Sequence, residues 1–200
     1  MTATRIETVR GGEARRHLPD VAALRIAVFR DWPYLYAGDM DYEQGYLSAY
    51  AGSPRSVFVL AFDGDWVVGA STGIPLADDA PAFREPFLAR GMDVDAMFYF
   101  GESVLLPDYR GRGIGHAFFD AREAHARTLE GFGWTGFAAV DRGDGDPRRP
   151  PVRRGNEAFW TKRGYVRQAE LTMQLDWDEL GVGECAHALT FWTRRLEPAA

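Results

Sequence analysis

The chain has a single cysteine, Cys185, in 200 residues. One thiol can form neither an intrachain disulfide nor a thiolate zinc cluster, and this usage fits a reducing compartment. Basic residues are the minority charge: 23 Lys and Arg stand against 29 Asp and Glu, a formal net charge of -6. A general nucleic-acid binder needs the opposite balance, because phosphates are neutralised by clustered cations. Histidines are few and far apart. His17, His116, His125 and His187 form no HExxH pair, and Asp144 with Asp146 lacks the rest of a calcium loop, so no metal is expected. No uninterrupted apolar run approaches bilayer length, and the first residues, MTATRIE, lack a cationic start leading into an apolar stretch. These absences predict a cytoplasmic protein with a small-molecule partner, and neither nucleic acid nor membrane.

Hydrophobic residues make up 46% of the chain, enough for a sizeable core, and the length predicts one domain over residues 1–200. Arg5 to Arg10 alternates as a strand does. Val21, Ala22, Leu24, Ala27 and Val28 recur at helical spacing after Pro19, and a second helix is predicted over Asp41 to Tyr50. Ser56 to Phe62 and Trp66 to Ile74 flank Asp63-Gly64-Asp65, a hairpin signal. An irregular helix is expected within Asp78 to Gly91. Met97 to Leu106 reads as a long central strand interrupted at Gly101, where a bulge or a close backbone approach is expected. A helical pattern follows from Ile114 to Leu129, then a strand from Trp134 to Val140, a long Pro, Gly, Asp and Arg loop to Gly155, and a short helix over Asn156 to Lys162. Val166 to Asp176 and Ala186 to Arg195 close the chain as strands. This mixed order predicts an α/β or α+β fold with a mixed sheet.

Arg110-Gly111-Arg112-Gly113-Ile114-Gly115 lies between a predicted strand and a predicted helix, where free amides and the helix dipole converge. An anion fits there, and glycine lets phosphate oxygens approach the backbone. A dinucleotide fingerprint starting at Gly111 would need glycine at His116, and a P-loop would need Gly-Lys followed by Ser or Thr. Neither is present.

The segment from Leu105 to Gly115, LLPDYRGRGIG, resembles the acetyl-coenzyme A motif of the GNAT superfamily of N-acetyltransferases, spelled Arg or Gln, two residues, Gly, one residue, Gly or Ala. Arg110, Gly113 and Gly115 match that spelling. The resemblance implies a mostly antiparallel central sheet with flanking helices, splayed near Gly101, and acetyl-coenzyme A as co-substrate. It implies that the amides of Gly111, Arg112, Gly113, Ile114, Gly115 and His116 hold the pyrophosphate after Arg110. The backbone of Ser103, Val104 and Leu105 would pair with the pantetheine arm. Asn156 stands where an asparagine of this family often contacts the coenzyme, ahead of Gly164-Tyr165.

Glu102, on the motif strand, stands where related enzymes often carry an acidic general base. Direct proton transfer from an ammonium to an ordinary glutamate is uphill by about six pKa units, about 8 kcal/mol, so Glu102 needs burial, a water relay or capture of the neutral amine. The usual acid of the family is a tyrosine, but Trp160 occupies that position. Tyr165, Tyr99 and Tyr36 are the substitutes to consider, or water, with a backbone amide such as that of Leu105 stabilising the oxyanion. Direct transfer to an amine in a ternary complex is expected, since Cys185 shows no activating neighbour in sequence. The departure at Trp160 also keeps open a non-catalytic acyl-coenzyme A sensor or scaffold. Two acceptor classes remain open as well. Trp32 to Asp41, with Asp39 and Asp41, suits a cationic amine, whereas Arg142, Arg148, Arg149, Arg153 and Arg154 suit an acidic acceptor or the coenzyme 3'-phosphate. Trp192 and its neighbouring aromatics suggest a possible homodimer.

Overall fold

The computed structural model describes residues 4–143, 145–151 and 155–197; Asp144, Arg153 and Arg154 lie outside the described residues. In chain order the elements are β1 (Arg5–Arg10), α1 (Leu18–Phe29), α2 (Met40–Gly52), β2 (Val57–Asp63), β3 (Trp66–Pro75), α3 (Pro81–Leu88), β4 (Met97–Tyr99), β5 (Ser103–Leu105), α4 (Ile114–Thr128), β6 (Trp134–Val140), α5 (Glu157–Lys162), β7 (Val166–Glu179) and β8 (Gly183–Arg195). A 3-10 helix, Gly11–His17, joins β1 to α1 and carries no periodicity by which the sequence would reveal it. The sheet runs β1-β2-β3-β4-β6-β8-β7, with β5 paired to β3. Every pairing is antiparallel except β4 with β6.

Both faces of the sheet are covered, which explains why β2 is apolar from Val57 to Phe62. Phe58, Leu60 and Phe62 join one core cluster with residues of α1, α2 and α3, while Val57, Val59 and Ala61 join another with Ile114, Phe118 and Phe119 of α4. Strand alternation thus divides one segment between two cores. Trp192 belongs to the second core: it is 6% exposed and lies against Phe137 and Trp160. It therefore offers no exposed aromatic surface of the kind a dimer contact would use. No helix among the described residues is long and apolar enough to cross a membrane.

The expected central strand is two strands. Gly101 sits at the break, where an added Cβ would fall 2.6 Å from Thr72 Oγ1 and 2.7 Å from Tyr50 Oη. Only glycine permits that approach.

Candidate active site at the split strand

The break opens the sheet on one side. Phe100 N–H donates to the Gly136 carbonyl at 2.7 Å, joining β4 to β6. Past that point the hydrogen bonds turn to β3: Gly101 N–H donates to the Thr72 carbonyl at 3.2 Å, Thr72 N–H to the Glu102 carbonyl at 3.2 Å, and Leu106 N–H to the Val68 carbonyl at 3.0 Å. Alternation along an antiparallel strand then points the N–H and C=O groups of Ser103 and Leu105 away from β3, into the gap toward β6. Residues Phe137 to Val140 of β6 pair with β8 alone among the described residues. Of the segment expected to pair with pantetheine, Ser103 and Leu105 present backbone groups to the gap, whereas Val104 faces β3 and its side chain is buried in the core.

The gap leads to the glycine loop. Gly111 and Gly113 adopt φ 78 and φ 82, left-handed conformations that favour glycine, and Gly113 is the N-cap of α4 without a side-chain cap. Among the described residues, no acceptor is hydrogen-bonded to the amides of Gly111, Arg112, Gly113, Ile114, Gly115 or His116. A Cβ on Gly111 or Gly113 would meet nothing within 4 Å, so the loop faces open space. These amides and the positive end of a 15-residue helix make a site for an anion. The side chains of the loop turn back on the chain. Arg110 Nε donates to the Leu105 carbonyl at 3.2 Å, and Arg112 Nη2 donates to the Asp108 carbonyl at 2.6 Å. The His116 ring lies 4.8 Å from the Phe159 ring, which joins α5 to the start of α4. Asn156 is exposed at the N-cap of α5, with its side chain making no cap hydrogen bond.

Glu102 is 4% exposed, so it does not stand on a solvent face of the strand. Arg25 of α1 donates from Nη1 to Glu102 Oε2 at 2.7 Å and from Nε to Glu43 of α2. The Arg25 guanidinium also lies 4.4 Å from the Tyr46 ring centre and 5.0 Å from that of Phe29. Glu102 Oε1 is buried without a hydrogen-bond partner. Burial pushes the Glu102 carboxyl above its ordinary value, with Arg25 opposing. One oxygen is thus held by a cation, and the other is left to accept a proton or a water.

Beneath the break lies Arg122 of α4, 1% exposed. Its Nη1 donates to the carbonyls of Thr72 at 3.2 Å and Glu102 at 3.1 Å, and its Nη2 donates to Ser103 Oγ at 2.9 Å. Stacked 4.1 Å from the centre of the Phe100 ring, it fixes the backbone where the strand divides. Burial pulls its guanidinium down to about 10, which still leaves it charged at neutral pH. Arg25, Glu43 and Arg122 were not singled out from the sequence. Their signal is a charged residue on an apolar stripe: Arg25 follows Val21 by four, and Arg122 follows Phe118 by four.

Trp160 packs against Phe137 and Trp192, with ring centres 4.9 and 5.2 Å away. Tyr165 is buried with its hydroxyl at Thr135 Oγ1 (2.9 Å) and Glu123 Oε1 (3.2 Å), and burial pushes both Tyr165 and Tyr99 up in pKa. Tyr36 is raised too, by burial and by Glu43. Asp39 caps α2 through the Tyr42 amide at 2.7 Å. Arg142 binds the Pro33 and Tyr34 carbonyls, Asp146 and Glu179, while Arg148 binds Asp146 and Glu179, so both are neutralised within the chain. Cys185 does have a neighbour: His187 Nε2 stands 3.3 Å from its Sγ, on the same face of β8 two residues on. Glu179 completes a group whose ligand atoms lie within 4.8 Å of one another. Because two guanidinium groups already occupy that carboxylate, the grouping is a poor cation site.

No family model matches the chain, and none of the curated proteins matches it. Solved structures do. An N-acetyltransferase of Staphylococcus aureus Mu50 superposes with a TM-score of 0.62 at 11% identity, covering 98% of this chain and 100% of that one. An acetyltransferase of GNAT family from Streptococcus pneumoniae gives 0.60 at 12%, covering 98% and 100%. The yncA protein of Salmonella typhimurium, solved with its cofactor acetyl-CoA, gives 0.60 at 13%, covering 100% and 97%. At such identities the likeness speaks for architecture, and with the split strand and the open glycine loop it places this chain in the fold of the GNAT acetyltransferases.

Proposed function

We propose that the protein is an acetyl-coenzyme A-dependent N-acetyltransferase acting on the amine of a small molecule by direct transfer in a ternary complex. The observation that carries this reading is a pair of unpartnered backbone sets on one connected segment: the outward groups of Ser103 with the Leu105 amide, and, past the bonded turn from Leu106 to Arg110, the amides of Gly111 to His116. It supplies an edge for the pantetheine amides and an anion site for the diphosphate. Asn156, exposed at the start of the helix whose Phe159 packs on His116, is a further coenzyme contact in this reading.

In the reaction, the neutral amine attacks the thioester carbonyl carbon, the C–S bond breaks, and the amine proton passes toward Glu102 Oε1 directly or through water. The outward amide of Leu105 stabilises the developing oxyanion. With Trp160 in the core and the Tyr165 hydroxyl engaged, the departing thiolate takes its proton from solvent. The products are an amide and free coenzyme A. No covalent acetyl-enzyme is involved.

The Arg25 pairing and Trp160 also fit a second reading, an acyl-coenzyme A sensor without chemistry. Thiol release from acetyl-coenzyme A over a panel of amines separates the two. Release with an amine establishes transfer, whereas tight coenzyme binding with no release under any acceptor establishes the sensor.

A further inference from the structure

An open cavity of about 550 Å³ lies between α2, Ile74 of β3 and the segment from Asp78 to Ala80, with Asp41, Tyr42, Tyr46, Tyr50, Asp78 and Asp79 among its walls. Its size suits a small metabolite. Three carboxylates and three phenol rings line it, and no Lys or Arg side chain does. Asp78 is partly neutralised by Arg55 at 3.3 Å and accepts from Ser53 at 2.8 Å. Asp79 is 8% exposed; it accepts from Tyr50 Oη at 2.8 Å and the Ala80 amide at 2.7 Å. No salt bridge reaches Asp79 or Asp41 among the described residues. The Tyr46 and Tyr50 ring centres are 5.1 Å apart, and Tyr42, 62% exposed, stands at the mouth. Asp78 is paired with Arg55, and at Asp79 burial pushes the carboxyl up while Arg84 opposes it, so the excess negative charge is what Asp41 and Asp79 retain; walled by ring faces, that excess attracts a positive ligand and repels a carboxylate. Of the five arginines that could receive an acidic acceptor, Arg142 and Arg148 are held by Asp146 and Glu179, and Arg153 and Arg154 lie outside the described residues.

The cavity also adjoins the split strand. Tyr50 Oη lies 2.7 Å from the position of a Cβ on Gly101, the residue preceding Glu102. Tyr50, 1% exposed, itself fills that contact, so a ligand seated against it lies one side chain away from the strand opening. The group held by the carboxylates is not the one that reacts: an amine beside anions keeps its proton, and a protonated amine is no nucleophile.

We propose, building on the acetyl-transfer reading above, that the acceptor carries a second cationic group that seats in this acidic, tyrosine-walled cavity while its reacting amine reaches the strand opening beside Glu102. Linear diamines are the simplest compounds of this class.

Calorimetric titration of the protein in the presence of coenzyme A, with a series of linear diamines, the matching monoamines and the matching amino acids, tests this without requiring turnover. The expected result is at least about tenfold tighter binding of the best diamine than of its monoamine, with the amino acid weakest. Asp79→Asn should remove most of that advantage. Asp41→Asn and Tyr42→Ala, both at exposed positions where folding is not at stake, should reduce it without abolishing coenzyme binding. Equal affinity across the three ligand types, tighter binding of the amino acids, no binding of any diamine, or an advantage that survives all three variants overturns the proposal. Selective diamine binding with no thiol release would uphold the cavity assignment and defeat the transfer reading; thiol release with monoamines alone would do the reverse.

Discussion

Replacing Gly113 by Trp separates ligand capture from folding. Gly113 is held at φ 82 and ψ -6, and a Cβ there meets no atom within 4 Å. The cost to the fold is therefore backbone strain alone, about 1–2 kcal/mol for an L residue in the left-handed region. Against a total stability of about 5–15 kcal/mol the domain stays folded, with its melting temperature lowered by about 2–8 °C. Ligand binding suffers far more, because the indole fills the space in front of the amides of Ile114, Gly115 and His116. Each charge-assisted bond to a phosphate oxygen is worth about 1.5–3 kcal/mol, so losing two weakens acetyl-coenzyme A by at least about a hundredfold. Gly131→Trp is the matched control: it sits at φ 95 in equally open space, but past the opposite end of α4. Calorimetry of acetyl-coenzyme A binding and a thermal melt on both variants give the answer. Similar melting losses with affinity lost only in Gly113→Trp is the expected outcome. Parent affinity in Gly113→Trp refutes the phosphate-loop assignment.

Glu102→Gln should lower turnover by about a hundredfold with little change in coenzyme affinity. Since burial pushes this carboxyl up, the parent rate should fall as pH is lowered through a pKa above the usual value of about 4.3, and the variant should lack that acid limb; a limb that persists unchanged dismisses Glu102 as the base. Arg122→Met leaves the carbonyls of Thr72 and Glu102 without their buried donor and should destabilise by about 3 kcal/mol, while raising KM for acetyl-coenzyme A. An unchanged melt and KM would show that Arg122 does not hold the break. Gly101→Ala should destabilise by about 1–3 kcal/mol through overlap with Thr72 and Tyr50, and Tyr50→Phe in that background should recover part of the loss by removing one overlapping oxygen. Denaturant titration of the single and double variants measures both.

Much of the frame was legible because its signals are local. The alternation of Arg5 to Arg10, the hairpin at Asp63-Gly64-Asp65 and the helical stripe after Gly113 appear where they were expected, since periods of two and 3.6 residues are set by neighbours in the chain. The glycines of the loop were expected to let an anion approach the backbone; their left-handed conformation at Gly111 and Gly113 is what the structure adds. Interruption at Gly101 was expected too, although not the division into separate strands with different partners, which depends on Tyr50 and Thr72 arriving from elsewhere.

What the sequence alone determined is the order of elements, the loop spelling and the candidate base. Only the tertiary structure decided the fate of the charges. Arg25 meets Glu102 and Glu43, and Arg142 meets Glu179, because the fold brings distant segments together. Periodicity fixes which way a side chain points, but a buried charge is satisfied by whatever the folded chain delivers opposite it, and that partner is nowhere encoded in its own segment.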